Sequence, residues 1–414
     1  MGNSKTPMRV AVVGGGFSGL TLAALLAAKG FTVSVFEKDQ GFITSENSHG
    51  ILFENAAPSL LNHHEIETFF TNYGLKTIRP MNSAKKKFIY YDQLCRWPLG
   101  IKASLIFVLK IIKFLFLNDK INSLQGLSVE TWSQLHFGSE FTDKVLRTAL
   151  FGVYACDISE LNAELVLSRF FLKRLNKAKF KGSVIPEGGL SNFLNLLRHD
   201  LLKKNVQFYA QNLNASDLLK LNESAIVVLA TGFSEFVKLT SEKPENFLKF
   251  DSEFAIEKWQ ILSKSIKCIS LAKVHLLFNG ARHKIAGFGV LFHPKNKFNS
   301  MGAIANSQVF SEYGPEYNES WILQDAANES LLLQYVLADR ERLFKSADQI
   351  KKSSVHISKN IYPVYSQDLL LWIRSTRLKE GFFATGNYWG ALGLSQIFLQ
   401  NLNLAKNIED YAKK

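Results

Sequence analysis

A glycine-rich turn near the N-terminus, GGGFSG at residues 14–19, constrains the fold of this chain more than any other feature. It follows a Val-rich apolar run at residues 9–13 and precedes an apolar helical pattern that ends at Gly30. Residues 31–36 form a second apolar run, which closes on Glu37. A buried parallel strand, a turn, a helix and a second strand make a complete βαβ unit. The sequence therefore predicts an α/β fold with a Rossmann-like nucleotide-binding domain.

The spacing of this turn follows from the chemistry of a bound pyrophosphate. Gly14 permits the tight turn, Gly16 lets the backbone approach the phosphates, and Gly19 lets the helix pack on the strand. The helix N-terminus offers N–H groups to the phosphates, and Glu37 is placed to accept hydrogen bonds from ribose hydroxyls. An acid at this position argues against a 2′-phosphate on the ribose. The predicted cofactor-binding residues of this unit are Gly14, Gly16, Phe17, Ser18, Gly19, Glu37 and Lys38.

Later segments supply further elements of the same sheet. An apolar run at residues 225–230 predicts another buried strand, and residues 181–202 predict a Gly-Gly turn followed by an amphipathic helix. Residues 382–406 predict a strand, a glycine-rich turn and a helix. One sheet would thus take strands from both ends and the middle of the chain, with other domains inserted between them.

The charge of the chain predicts an acidic partner. The formal net charge of +13 and the pI of ≈ 9.4 suit nucleic acid, an anionic membrane surface or a polycarboxylate ligand. A generally basic soluble surface is the alternative. No nucleic-acid-binding motif is present in the sequence, so we expect no nucleic acid partner.

Cys95, Cys156 and Cys268 are far apart and lack a CxxC pattern, which is typical of a reducing compartment and predicts neither a disulfide framework nor a metal site.

Residues 101–118, IKASLIFVLKIIKFLFLN, combine apolar and basic character. The longest uninterrupted apolar run is too short to span a bilayer, which needs about 20 residues. On a helix, Lys102, Lys110 and Lys113 would fall within roughly 80° of arc, because each residue turns about 100°. A basic stripe on an apolar helix predicts a segment that lies in a membrane interface. A core helix with extended lysine side chains remains the alternative.

Several further segments together point to one family. They are KFIYY at 87–91 with Trp97-Pro98, VETWSQLHFG at 129–138, FGVYACDISEL at 151–161, PEGGL at 186–190, GFGVLFHP at 287–294, YPVY at 362–365 and the glycine-rich turn from Gly386 to Gly393. In these segments, and in their order along nearly the whole chain, the sequence resembles the protoporphyrinogen oxidases. These are flavoproteins of the amine-oxidase-like superfamily.

The resemblance implies a three-part architecture. An FAD-binding domain of the amine-oxidase (GR2) type would comprise residues 8–75, 182–245 and 366–414. An inserted α+β substrate-binding domain would comprise residues 76–98 and 246–365. A helical, membrane-associated domain would comprise residues 99–181 and include the apolar-basic segment. The protein would then be cytoplasmic and peripheral on the inner face of the membrane, and a homodimer stays open.

The resemblance also implies an activity. The family uses FAD to oxidise a porphyrinogen to a porphyrin in heme biosynthesis, with hydride transfer to the flavin N5 and oxygen or another acceptor reoxidising the flavin. We expect FAD to be bound non-covalently in this protein. The resemblance adds Thr231, Gly386, Asn387, Gly393 and Leu394 to the expected cofactor-binding residues. No catalytic acid or base is assigned, because the cofactor performs the difficult step. Lys87 would bind a propionate, with Arg96 as a second cation. Gly152 would leave room for the meso edge of the substrate, and Tyr154 would form a wall beside it.

The sequence departs from the family pattern at four places. The segment after Glu37 is shortened and lacks Arg-x-Gly-Gly, and Ala56-Ala57 stands in place of a Gly-Pro. Phe151 replaces an Arg, and Cys156 replaces a Gly. Two alternatives therefore stay open beside the porphyrinogen oxidase. One is a non-catalytic or repurposed protein of the FAD fold that binds a tetrapyrrole, and the other is a different amine-oxidase-like FAD oxidoreductase.

Overall fold

The computed structural model describes residues 8–38, 45–48, 51–54, 57–97, 122–171, 178, 180–279, 284–324, 328–345 and 348–414. Three of the sequence predictions fall outside these residues. They are the interfacial helix at residues 101–118, the shortened segment after Lys38, and the Ala56 half of the replaced Gly-Pro.

The described part of the chain contains the following strands and helices. The strands are β1 (Arg9–Val13), β2 (Thr32–Glu37), β3 (Ser45–Ser48), β4 (Ile51–Glu54), β5 (Leu60–Leu61), β6 (Thr77–Ile78), β7 (Lys87–Tyr91), β8 (Gln93–Trp97), β9 (Ser183–Pro186), β10 (Gln207–Ala210), β11 (Ile226–Leu229), β12 (Cys268–Phe278), β13 (Gly289–Phe292), β14 (Ser300–Ile304), β15 (Asn318–Leu323), β16 (Ile350–Pro363) and β17 (Phe382–Ala384). The helices are α1 (Phe17–Ala28), α2 (His64–Asn72), α3 (Val129–Phe137), α4 (Ser139–Phe141), α5 (Thr148–Tyr154), α6 (Ala163–Phe171), α7 (Gly189–Lys203), α8 (Ala215–Asn222), α9 (Phe233–Thr240), α10 (Pro244–Phe247), α11 (Glu253–Ser265), α12 (Asn306–Val309), α13 (Glu329–Phe344), α14 (Gln367–Ser375) and α15 (Leu394–Ala412).

A five-stranded parallel sheet carries the predicted nucleotide-binding elements. Its strand order is β10-β2-β1-β11-β17, and each neighbouring pair is parallel. The chain runs from β1 to β2 and β10 on one side, and β11 and β17 lie on the other. The direction of winding therefore reverses between β1 and β11, which is where open α/β sheets bind ligands at the carboxyl ends of their strands. The prediction of an α/β, Rossmann-like fold is confirmed, with strands from both ends and the middle of the chain.

A seven-stranded sheet forms the second layer of the molecule. Its order is β16-β12-β15-β14-β13-β7-β8, and only the pair of β13 with β7 is parallel. Trp321 of β15 is fully buried, and Leu332 and Val336 of α13 pack in the same core. Within this sheet, Lys273 of β12 lies directly opposite His356 of β16.

Residues 122–171 are mainly helical and pack between the two sheets. A π-helical stretch, Thr142–Arg147, joins α4 to α5. Trp132, Ile158 and Val166 are buried in a core shared with the parallel sheet. In the described part of the chain, no helix has both the length and the apolar composition needed to cross a membrane. The three domain boundaries remain predictions.

Candidate cofactor and substrate site

The turn between β1 and α1 has the geometry of a phosphate-binding loop. Gly14 has φ +111°, and a Cβ there would lie 2.6 Å from the Ala230 carbonyl oxygen, so no other residue fits without strain. A Cβ on Gly19 would lie 1.8 Å from the Gly14 carbonyl oxygen, so α1 can approach the turn only with a glycine. A Cβ on Gly16 would meet nothing within 4 Å. The space above Gly16 is therefore open for a ligand, and Phe17 begins the helix beside it.

Glu37 lies next to this turn. Its Oε2 accepts a hydrogen bond from the Gly15 N–H at 2.7 Å, which holds the carboxylate at the carboxyl end of β2. Lys38 follows as an exposed residue. The Ser18 hydroxyl donates to Thr385 Oγ1 at 3.2 Å, and so ties α1 to the end of β17. The structure thus places the predicted ribose acid and the phosphate turn at one edge of the sheet.

Thr231, Gly386 and Asn387 lie at the same edge, where β11 and β17 end side by side. Gly386 has φ +140°, and a Cβ there would lie 3.3 Å from the Thr231 carbonyl oxygen. The hydroxyl of Tyr365 donates to the Asn387 carbonyl oxygen. These contacts fix the loop after β17 against the loop after β11, so two predicted segments far apart in sequence meet here.

Helix α15 begins close to a large cavity. Gly393 is its N-cap, and a Cβ at this position would meet nothing within 4 Å. Both Gly393 and Leu394 line the cavity. Because the first N–H groups of a helix lack partners within it and its dipole is positive there, this end favours a ligand that carries or develops negative charge.

The cavity has a volume of ≈ 1100 Å³, at the upper end of the range of small-molecule sites. Its walls are mainly apolar and come from β7, β12–β16, α5 and the start of α15. Five of the residues predicted to contact substrate or flavin line the cavity: Lys87, Gly152, Tyr154, Gly393 and Leu394. Arg96 does not line the cavity and is instead an exposed residue of β8, opposite Phe88.

Two of the predicted substrate contacts also have packing roles. A Cβ on Gly152 would lie 2.5 Å from Leu291 Cδ2, so the glycine lets α5 approach β13 closely. Tyr154 is buried, and its ring meets that of Tyr365 edge-on with centroids 5.5 Å apart. Phe151 is half-buried against the apolar core and does not line the cavity.

A buried lysine, Lys273, was missed by sequence reasoning. It lines the cavity, the residue as a whole is 8% exposed, and its Nζ donates to the Glu54 carbonyl oxygen at 2.7 Å. Burial lowers the pKa of Lys273 to about 8, and the nearby Glu54 carboxylate opposes this shift. The sequence signal for this residue was a lysine within a mainly apolar strand, CISLAKVHLLF. Lysines are almost never fully buried unless they are paired, so a lysine in a buried strand indicates a binding partner.

Glu54 connects the cavity-lining Lys273 to the N-terminus of α7 through hydrogen bonds. Its Oε1 accepts from the Leu190 N–H at 2.7 Å, at the N-terminus of that helix. Burial raises the pKa of Glu54, while the Leu190 hydrogen bond and Lys273 oppose the rise. The Glu54 side chain thus accepts a hydrogen bond from the Leu190 backbone, and the Glu54 main-chain carbonyl accepts one from Lys273.

The ionisable side chains that line the described cavity are basic or phenolic. They are Lys87, Lys273, His63, His356, Tyr154 and Tyr362. No Asp or Glu is among the described lining residues. His275, behind Lys273 on β12, has its pKa held well below the usual value by burial and by the nearby Lys273. A large, mainly apolar ligand with acidic groups fits this surface better than an amine does.

Comparison with known proteins finds this fold in several solved structures. Residues 12–73 match the family model for an NAD(P)-binding Rossmann-like domain. Cyclohexylamine oxidase from Brevibacterium oxydans IH-35A superposes with a TM-score of 0.69 at 11% identity, over 99% of this chain and 100% of that one. The chain therefore shares its fold with this amine oxidase over nearly its whole length.

The chain is also similar to two proteins described as protoporphyrinogen oxidases. A provisionally assigned protoporphyrinogen oxidase from Exiguobacterium sp. 255-15 superposes with a TM-score of 0.73 at 14% identity, over 99% of this chain and 100% of that one. Protoporphyrinogen oxidase 2 of Arabidopsis thaliana, a chloroplastic/mitochondrial protein, is 28% identical over 195 residues. That alignment spans 43% of this chain and only 38% of the Arabidopsis protein.

Proposed function

We propose that this protein is an FAD-dependent oxidoreductase that oxidises a porphyrinogen to the porphyrin. The observation that carries the proposal is the large apolar cavity, whose described lining includes Lys87 and Lys273 but no carboxylate side chain. A porphyrinogen is a large apolar macrocycle with carboxylate substituents, so its shape and its charge both match such a cavity.

The residues at the sheet edge fit FAD. The open space at Gly16 would receive the pyrophosphate, and Glu37 beside the Gly15 N–H would hold the ribose. Thr231, Gly386 and Asn387 would continue the cradle towards Gly393, where the start of α15 would stabilise negative charge. When bound, FAD supplies a two-electron acceptor for a hydride from a meso carbon. Lys38, Phe17 and Ser18 are proposed as further contacts at the phosphate end.

The chain's own residues would bind and orient the substrate. Lys87 would hold a propionate at the solvent side of the cavity, where it is an exposed residue with its Nζ 5.5 Å from the centre of the Phe288 ring. Tyr154 and the wall at Gly152 would position the macrocycle and exclude water. Arg96 lies outside the described lining and would act only at a distance, by attracting an acidic ligand.

The charge of the cavity lining argues against amine oxidation as the alternative. An ammonium substrate near Lys87 and Lys273 would meet like charge, which costs binding free energy.

Oxygen or another acceptor would reoxidise the flavin, and a homodimer remains a proposal for the assembly. We also propose peripheral binding to an anionic membrane on the cytoplasmic side, through residues 101–118.

A pair of neighbouring lysines tests the substrate contact. Lys87 lines the cavity, whereas Lys85 is an exposed lysine of the same run that does not. A hydrogen bond between charged groups contributes about 1.5–3 kcal/mol, so Lys87→Ala should raise KM for the porphyrinogen about tenfold or more. Lys85→Ala should leave KM unchanged. The assay is porphyrin fluorescence under air, corrected for spontaneous oxidation. Equal KM values for the two variants would rule out Lys87 as the propionate contact.

A further inference from the structure

Three polar side chains form a strip on one face of the seven-stranded sheet, inside the cavity. Lys273 of β12 is directly opposite His356 of β16, and Ser358 lies two residues further along β16, opposite Leu271. All three line the cavity. Directly opposite residues have Cβ atoms about 4.5–5.5 Å apart, and residues two apart on a strand share a face. The strip therefore interrupts a wall that is otherwise formed by apolar residues such as Leu271 and Ile322.

The strip carries several hydrogen-bond donors. An ammonium group has three, so Lys273 can bind the Glu54 carbonyl oxygen and a ligand at the same time. The Nε2 of His356 lies 3.1 Å from the Ser358 hydroxyl, and both groups can donate. Lys273 is a buried residue, so a partner of opposite charge would interact with it more strongly than with a surface lysine.

We propose that Lys273, His356 and Ser358 form an inner anion subsite that binds one carboxylate of the ligand, while Lys87 binds a second carboxylate at the solvent side. That the ligand is a macrocycle rests on the proposed function. That the ligand carries two carboxylates rests only on the residues that line the cavity. Because Lys87 is exposed and Lys273 is buried, the two acids must lie at different depths. The ligand class is thus an apolar body with at least two carboxylates.

The ammonium form of Lys273 favours an acid over a neutral polar group. The Glu54 carboxylate binds the Leu190 N–H, and Lys273 binds the carbonyl of the same residue. Among the residues that the structure describes, the titratable groups near Lys273 include Glu54 on β4, His275 on β12 and His356 on β16. Burial lowers the pKa of Lys273 to about 8, so its charged form is disfavoured in the empty cavity. A bound carboxylate favours that charged form and draws a proton onto the lysine near pH 8.

The experiment compares acids with esters on the FAD-loaded protein. The probes are an oxidised dicarboxylic porphyrin, its dimethyl ester, and a long-chain alkane dicarboxylic acid. Calorimetric titration at pH 8 in two buffers of different ionisation enthalpy measures both affinity and proton uptake. The variants are Lys273→Met, Ser358→Ala and Lys87→Met, with Lys85→Met as the matched control. A thermal melt checks that each variant is folded.

We expect the diacid porphyrin to bind with proton uptake and about tenfold more tightly than its diester. Lys273→Met should weaken the diacid about tenfold and remove most of the uptake, without changing the affinity of the diester. Ser358→Ala should weaken the diacid severalfold, which keeps the test decisive if Lys273→Met fails to fold. Lys85→Met should behave as the parent protein does.

The failures are distinguishable. If the diacid porphyrin binds in a Lys87-dependent way but Lys273→Met and Ser358→Ala change neither its affinity nor its proton uptake, the inner subsite is wrong and the proposed function stands. If porphyrins do not bind but the alkane diacid binds with dependence on Lys273, the subsite stands and the porphyrin is wrong. If no probe binds, both are wrong.

Discussion

Single glycines in the phosphate turn separate folding from cofactor binding. A Cβ on Gly16 would meet nothing within 4 Å, whereas a Cβ on Gly19 would lie 1.8 Å from the Gly14 carbonyl oxygen. Gly16→Ala should therefore fold with parent stability but lose affinity for FAD about tenfold or more, because its methyl group occupies the phosphate space. Gly19→Ala should lose both stability and flavin. Flavin absorbance per protein and thermal denaturation measure the two effects. A Gly16→Ala protein that keeps parent flavin affinity would contradict this site.

The same residues show why part of the site is predictable from sequence. Gly14, Gly16 and Glu37 could be located because pyrophosphate chemistry fixes their spacing within one continuous βαβ unit. Lys273 could not be located, because its role depends on which face of β12 meets the cavity and on Glu54, a residue far away in the chain. Arg96 shows the converse. Its place in the sequence predicted a substrate contact, but in the structure Arg96 is an exposed residue of β8 outside the described cavity lining.

At the scale of elements, helix α13 is held to the second sheet by a buried ion network. Arg340 Nε donates to Glu319 Oε2 at 3.1 Å, and its Nη2 donates to Asp348 Oδ2 at 2.7 Å. Glu319 is fully buried and also accepts from Trp321 Nε1 at 2.8 Å. Removing one partner would leave an uncompensated buried carboxylate, so Arg340→Met should lower the free energy of unfolding by about 3–5 kcal/mol.

The matched control for Arg340 is an exposed ion pair on the same sheet. Lys351 Nζ lies 2.7 Å from Glu316 Oε1, and Lys351→Met should cost less than about 1 kcal/mol because water screens the pair. Urea denaturation of both variants measures the difference. Equal losses would mean that the Arg340 network does not stabilise the docking of α13.

Elements differed in how readily their sequence predicted them. β1 and β11 are buried along almost their whole length, so each appears in the sequence as a short continuous apolar run. The pairing of β12 with both β15 and β16 was not predictable, because these partners lie far apart in the chain and their register is fixed by tertiary contacts. The sequence therefore predicted four strands of the nucleotide-binding sheet, but neither the strand order of that sheet nor the pairing within the second sheet.

At the scale of the whole molecule, the net charge of +13 suits an anionic surface as well as an acidic ligand. The test of membrane binding is co-sedimentation with anionic vesicles for the parent and for a variant with Lys102, Lys110 and Lys113 each changed to Glu. Each lost cation should cost about 1 kcal/mol of binding free energy, and added salt should weaken the parent. If both proteins sediment equally, residues 101–118 do not form an interfacial helix with a basic stripe.

The proposed function requires that FAD bound at the sheet edge accept electrons from a porphyrinogen in the cavity. Anaerobic mixing of the FAD-loaded protein with candidate substrates tests this requirement. FAD-loaded protein is mixed with a porphyrinogen, or with cyclohexylamine, and the visible spectrum is followed. We expect the porphyrinogen to bleach the flavin while porphyrin absorption appears, and we expect the amine to do neither. A flavin that stays oxidised with both dicarboxylic and tetracarboxylic porphyrinogens, or that the amine reduces instead, would contradict the proposed function.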